Sequence, residues 1–236
     1  MKKNFFAFIS ILFVVAFLIS ACATNSTPKS DTAWPTILSQ QTGQLSQEPA
    51  GALPIVFDTF ASAVEFVKNP NFSDYYNKWQ GSYRAMVERL FVDGQLLIAS
   101  HTSANKLNDS VTLYPEAEYE DVGIGFWFKY DDISYQVIVY RIKDGAEYTL
   151  DTETESIIAY YEKRLGVPQK YDYEYVNTNN LQMPKMMIHK IDLDEGRYSA
   201  DCMVGDTHYI VIRTEADKAA LLSFVDGLQI DSISLD

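Results

Sequence analysis

The chain has 236 residues, 47% of them hydrophobic and 14% aromatic, and 32 acidic against 19 basic side chains give a net charge of −13. That excess of acid repels nucleic-acid phosphates and anionic headgroups, so neither is an expected partner. The hydrophobic share suffices for a core that buries about 70% of the unfolded surface, and the two cysteines, Cys22 and Cys202, rule out a disulfide-built scaffold.

Taken in chain order, Lys2 and Lys3 precede a run from Phe5 to Ile19 whose only polar member is Ser10. Lysines held at the anionic cytoplasmic leaflet, followed by an apolar run, orient a segment for membrane insertion. Phe5 to Ala21 is at the short limit for spanning a hydrocarbon core of roughly 30 Å. The run closes on Leu18-Ile19-Ser20-Ala21-Cys22, which resembles the processing site of bacterial lipoproteins. The resemblance implies cleavage before Cys22, a diacylglycerol thioether on its sulfur, and acyl chains as the anchor of a protein at the extracytoplasmic face of the cell membrane. An uncleaved N-terminal membrane helix is the alternative.

Without residues 1–21, which hold two lysines and no acid, 17 basic and 32 acidic residues leave a net charge of −15. Once Cys22 is lipidated, Cys202 has no partner for an intramolecular disulfide. Residues 22–52 are dominated by Ser, Thr, Gln, Asn, Pro and Gly around Trp34 and Ile37-Leu38, the composition of a disordered polar tether. At ~5–6 Å × √n such a tether spans about 30 Å on average. A single globular domain is expected over residues 53–236.

In that domain Asp58 is placed to cap a helix through Lys68 with Phe60, Val64 and Val67 on one face. Tyr83, Met86, Val87, Leu90 and Phe91 form a helical stripe, with Gly94 as its stop and a strand from Leu96 to Ala99. Gly125 to Tyr130 and Tyr135 to Arg141 read as a hairpin around the four-residue loop Asp131 to Ser134. Val137 and Val139 face one way and Ile138 and Tyr140 the other, so both sides of that hairpin are expected to be covered. Thr152 and Glu155 read as the capping box of a helix bearing Ile157, Ile158, Tyr161 and Leu165 and ending at Gly166. Strands are expected over Tyr171 to Val176, Met186 to Leu193, Tyr198 to Val204 and His208 to Arg213. A last helix opens at Thr214 and Asp217 and ends at Gly227. Residues 125–166 and 198–227 repeat the order hairpin, cap, helix, glycine. The fold class is α+β, an antiparallel sheet with packed amphipathic helices in two similar hairpin–helix units. The stretch from Gly196 to Leu228 is also broadly similar to C-terminal domains in lipoproteins of low-GC Gram-positive bacteria, a likeness that carries over no site residue.

The chemistry-bearing residues are scattered. His101, His189 and His208 lie at no metal-ligand spacing, so no metal or other cofactor is expected, and His189, sharing a strand face with Met187, Ile191 and Leu193, reads as a buried, hydrogen-bonded histidine. Asp192-x-Asp194-Glu195-Gly196 leads straight into a strand, which leaves no room for a calcium loop and suits a hairpin turn. The acidic run Glu116, Glu118, Glu120 and Asp121 suits an exposed edge or loop. Cys202 alternates with Tyr198 and Ala200 as a small core residue. Gly-x-Ser-x-Gly, Ser-x-x-Lys and a glycine-rich phosphate loop are missing from the sequence, and no catalytic residue is assigned.

Aromatic residues remain. Tyr75, Tyr76, Trp79 and Tyr83 crowd one region, and Tyr171, Tyr173 and Tyr175 alternate with Asp172 and Glu174. A row of tyrosines on one strand face offers rigid amphipathic rings for a peptide or a sugar, and the alternative is that they cover the core edge. The expected function is a non-enzymatic, membrane-anchored module that binds an envelope protein, peptide or glycan through Tyr171, Tyr173 and Tyr175. An envelope hydrolase using paired acids and a small solute receptor are the other classes open to this sequence.

Overall fold

Alternating and doubly apolar strands dominate the chain, and the fold follows from pairing them. In the computed structural model, residues 52–73, 75, 77–107, 109–115, 122–142, 149–152, 155, 159, 173–192 and 197–234 are described. The elements are β1 (Ile55–Phe57), α1 (Phe60–Lys68), a 3₁₀ turn (Asn77–Trp79), α2 (Gln80–Leu90), β2 (Gln95–His101), β3 (Asn105–Lys106), β4 (Val111–Tyr114), β5 (Val122–Tyr130), β6 (Ile133–Arg141), β7 (Tyr173–Asn177), β8 (Lys185–Asp192), β9 (Arg197–Val204), β10 (His208–Thr214), α3 (Lys218–Gly227) and β11 (Leu228–Ser234). The main sheet runs β1-β4-β5-β6-β10-β9-β8-β7, with β3 beside β5, and β2 pairs with β11 in a second sheet. The named pairings are antiparallel. This is an α+β fold in which the sheet dominates.

The period of two divides the sheet into faces. Ile124, Phe126, Val137, Val139, Ile188, Ala200, Cys202, Ile210 and Ile212 join the larger core, together with the buried side chains of α1, α2 and α3. Ile138, Tyr140, Tyr209 and Val211 form a separate buried cluster with Tyr114 and Met203 packed against it. β5 and β6 are therefore buried on both faces, as their doubly apolar sequence requires. Gly123 and Gly125 lie within β5 because a Cβ there would come within 2.7 Å of the Tyr140 ring and 2.9 Å of the Tyr114 ring.

Several details differ from the sequence reading. The β5–β6 connection is a two-residue turn, with Asp131 at φ 48° and Asp132 at φ 62°, because the ladder continues through Tyr130↔Ile133. Thr59, not Asp58, caps α1, its hydroxyl accepting from Ser62 N at 3.1 Å. Thr149 caps the helix that begins at Leu150: Thr149 Oγ1 accepts from Thr152 N at 3.2 Å, and Thr152 Oγ1 accepts from Thr149 N at 2.8 Å. Thr152 thus takes the third helical position of a reciprocal box rather than the cap. The expected apolar face of that helix, at positions 157, 158, 161 and 165, lies outside the described residues. α2 ends at Leu90, and Gly94 (φ 72°) serves instead in the tight turn that leads into β2.

α3 is locked by aromatic packing. Asp217 caps it through Ala220 N at 2.9 Å, and Leu221, Phe224 and Val225 point inward at i, i+3 and i+4. The Phe224 ring stacks on Tyr135 at 4.0 Å and on His101 at 4.6 Å. His101 donates from Nε2 to Phe224 O at 2.8 Å, and its Nδ1 accepts from Ala104 N at 2.8 Å, which fixes the neutral ring. Among the described residues no helix is long and apolar enough to cross a membrane.

Candidate functional site

The β7–β8–β9 ladder decides which side chains meet. Among the described residues β7 is a terminal strand of the main sheet, and its register sets Tyr173 opposite His189 and Tyr175 opposite Met187. The next rung places His189 opposite Ser199 and Met187 opposite Asp201. One face therefore presents, from the edge inward, two tyrosines and then a polar layer.

The edge and the layer differ in exposure. Tyr173 and Tyr175 are 40% and 38% exposed, whereas His189, Ser199 and Asp201 are buried at 4%, 3% and 2%. The tyrosine rings meet edge-on, centroids 5.9 Å apart, and the Lys185 ammonium is 4.4 Å from the Tyr175 ring centre, a cation–π contact. On the opposite side of β7, Glu174 pairs with Lys218 of α3 at 2.6 Å. These contacts hold the strand's outer side chains without covering them.

In the layer, His189 Nε2 and Asp201 Oδ2 are 2.9 Å apart. A carboxylate buried this deeply needs such a partner, since desolvation without one costs several kcal/mol. Ser199 Oγ donates to the same Asp201 oxygen at 3.5 Å. The hydroxyl is thus directed at the acid rather than at the imidazole, which is not the nucleophile–base geometry of acyl transfer. Cys202 faces the larger core, and burial together with the neighbouring Asp201 charge pushes its thiol up, so it stays protonated. Among the described residues no group of three or more His, Cys, Asp or Glu could hold a metal ion.

The remaining sequence candidates fall elsewhere. Tyr83 is buried, its hydroxyl bridging Leu53 N at 2.9 Å and Leu53 O at 3.0 Å, and the tilted Tyr75 ring packs against it with centroids 4.4 Å apart. Of the first aromatic cluster, Tyr83 is a core residue, and Tyr75 and Trp79 are partly buried and packed against the core. Tyr171 and Cys22 lie outside the described residues, as do Tyr76, the acidic run 116–121 and residues 193–196 of the β8–β9 turn. His208 bonds Thr207 Oγ1 at 2.9 Å, and burial with the Arg141 charge pulls its imidazole down to about 4.

The sequence reading found the exposed tyrosines but missed Asp201. His189 and Asp201 are twelve residues apart, and a bulge between Lys190 and Asp192 shifts the register so that period-two counting through the turn does not reveal the pair. No protein family, curated protein or solved structure matches the chain.

Proposed function

We propose that this chain is a lipid-anchored module at the extracytoplasmic face of the cell membrane, binding an envelope protein, peptide or glycan without catalysis. The observation that carries the binding role is the exposed Tyr173–Tyr175 pair on a terminal strand, backed by the buried His189–Asp201–Ser199 layer. Rings held edge-on against a rigid backing lose little freedom when a ligand stacks on them. In this reading the His189–Asp201 pair is structural, setting the face on which the tyrosines rest.

The anchoring half stands on Lys2, Lys3, the apolar run and Cys22, with residues 1–21 as signal peptide, 22–52 as tether and 53–236 as one domain. The finer architecture belongs to the same proposal, an antiparallel sheet with packed amphipathic helices in two similar hairpin–helix units. Its support is that β9 and β10 lead into α3 as β5 and β6 lead into the helical residues from Leu150.

The binding role is tested by co-sedimenting wild type and Y173A/Y175A with insoluble envelope glycan, and by capturing envelope proteins on each. A variant that keeps the wild-type unfolding midpoint but loses the ligand supports the tyrosine face. Equal retention by the two chains removes it.

A further inference from the structure

His101 is the last residue of β2, and its ring joins several parts of the fold at once. Nε2 donates to Phe224 O at 2.8 Å, while Nδ1 accepts from both Ser103 N at 3.0 Å and Ala104 N at 2.8 Å. The ring stacks on Phe224 at 4.6 Å and packs against Tyr130 with centroids 5.1 Å apart. Gly227 lies so close that a Cβ there would come within 2.5 Å of the ring, and Thr102 N bonds Gly227 O at 3.0 Å. β2, the end of α3 and the end of β5 therefore meet on one imidazole.

The imidazole also holds the strap from Thr102 to Leu107, which carries the chain out of the β2–β11 sheet and into the main one. Within it β3 pairs Asn105 with Lys129 and Lys106 with Phe128, and Leu107 N bonds Trp127 O at 3.1 Å. Ala104 packs against the larger core. The Lys106 ammonium lies 5.6 Å from the Phe60 ring centre and 5.2 Å from that of Phe126. A strand this short adds few ladder bonds, so the two bonds to Nδ1 weigh heavily in keeping the strap seated.

We propose that His101 is an acid-sensitive latch, whose neutral ring seats the strap and whose protonation at Nδ1 releases it. An imidazolium carries N–H on both nitrogens. The added proton points at two backbone donors, so both bonds to the strap are lost while Nε2 keeps Phe224 O. Release is local, freeing residues 102–107 and lifting Lys106 from the two phenylalanine rings. Among the described residues, the titratable groups on the elements around the ring are engaged elsewhere. The Tyr130 hydroxyl bonds Ser223 Oγ at 3.1 Å, and the Tyr135 hydroxyl donates to Ala220 O. Lys129 pairs with Asp132 and Lys218 with Glu174. Asp217 accepts from Ala220 N, Asp226 from Asn179, and Asp231 from Ser100. Burial pulls the His101 imidazole below its ordinary value, with Phe224 O opposing. The latch is therefore closed above about pH 6.5 and opens as pH falls below it.

The test follows the full chain in detergent micelles by hydrogen–deuterium exchange mass spectrometry between about pH 7.5 and 4.5, with rates corrected for the intrinsic pH dependence of exchange. Exchange at C2 of the His101 imidazole in the same samples gives its titration. The latch predicts that amide protection over 102–107 falls by roughly threefold or more as His101 titrates, while the β5–β6 hairpin stays protected. H101N places a side-chain oxygen near the Nδ1 position and takes up no proton, so its strap is expected to hold one level of protection throughout. Wild-type protection over 102–107 that stays constant, that falls outside the range in which His101 titrates, or that falls together with the hairpin overturns the proposal. So does an H101N strap that opens with acid as wild type does. If H101N lacks the strap's protection already at pH 7.5, the agreement or disagreement of the two wild-type midpoints decides.

Discussion

Asn180 bonds both within the β7–β8 loop and to the end of α3, so its removal has a calculable cost. It is 8% exposed, donates two 2.7 Å bonds to Val225 O and Leu228 O, and accepts one from Gln182 N. N180A deletes all three. At about 1 kcal/mol net per bond the loss is about 3 kcal/mol. Val225 O keeps the backbone bond from Leu228 N, which lowers the cost of leaving that carbonyl, whereas Leu228 O loses the Asn180 amide. The expected destabilisation is therefore about 2–4 kcal/mol. N180D is the sharper variant, because it retains the acceptor for Gln182 but turns a buried carboxylate toward two carbonyl oxygens, and it should be worse than N180A. Urea unfolding at unchanged m-value measures both. A loss below about 1 kcal/mol in N180A, or an N180D variant more stable than N180A, would refute the view that this side chain fastens the loop to the end of α3.

Two further consequences concern the turn and the histidines. D132G should stabilise by about 0.5–1 kcal/mol, because glycine removes a positive-φ side chain at the β5–β6 turn and gives up only the exposed 2.9 Å Lys129–Asp132 pair; chemical denaturation reads this, and a decrease would contradict the turn geometry. Burial lowers both His101 and His208 below the ordinary imidazole value, with Phe224 O opposing at His101 and the Arg141 charge adding at His208. Since the unfolded chain takes up these protons first, the contribution is fully present above about pH 6.5 and is lost as pH falls toward 4. H208Q should therefore show a flatter stability profile than wild type between pH 7 and 5, and superimposable profiles would contradict the assignment.

What could be read from the sequence was what depends on local period. The β5–β6 hairpin, the α2 stripe and β8 to β10 are regular alternations or helical repeats, and each formed within three residues of its expected limits. Caps were harder, because Thr149 and Thr152 are both threonines three residues from a helix-compatible partner, and only the bonds between them show which lies outside the helix. β11 gives little signal in Leu228-Gln229-Ile230-Asp231-Ser232, and it is a strand because β2 pairs with it along seven residues. The candidate site divides the same way. Tyr173 and Tyr175 are visible as alternation within one strand, whereas the His189–Asp201 layer depends on a bulged register between two strands.

The central claim is that the domain is held to a membrane through Cys22, and metabolic labelling with radioactive palmitate in a bacterial host tests it most directly. The account predicts a labelled wild-type chain and an unlabelled C22S variant of equal abundance. Palmitate incorporation that survives in C22S, or a wild-type chain that takes up none, would contradict it.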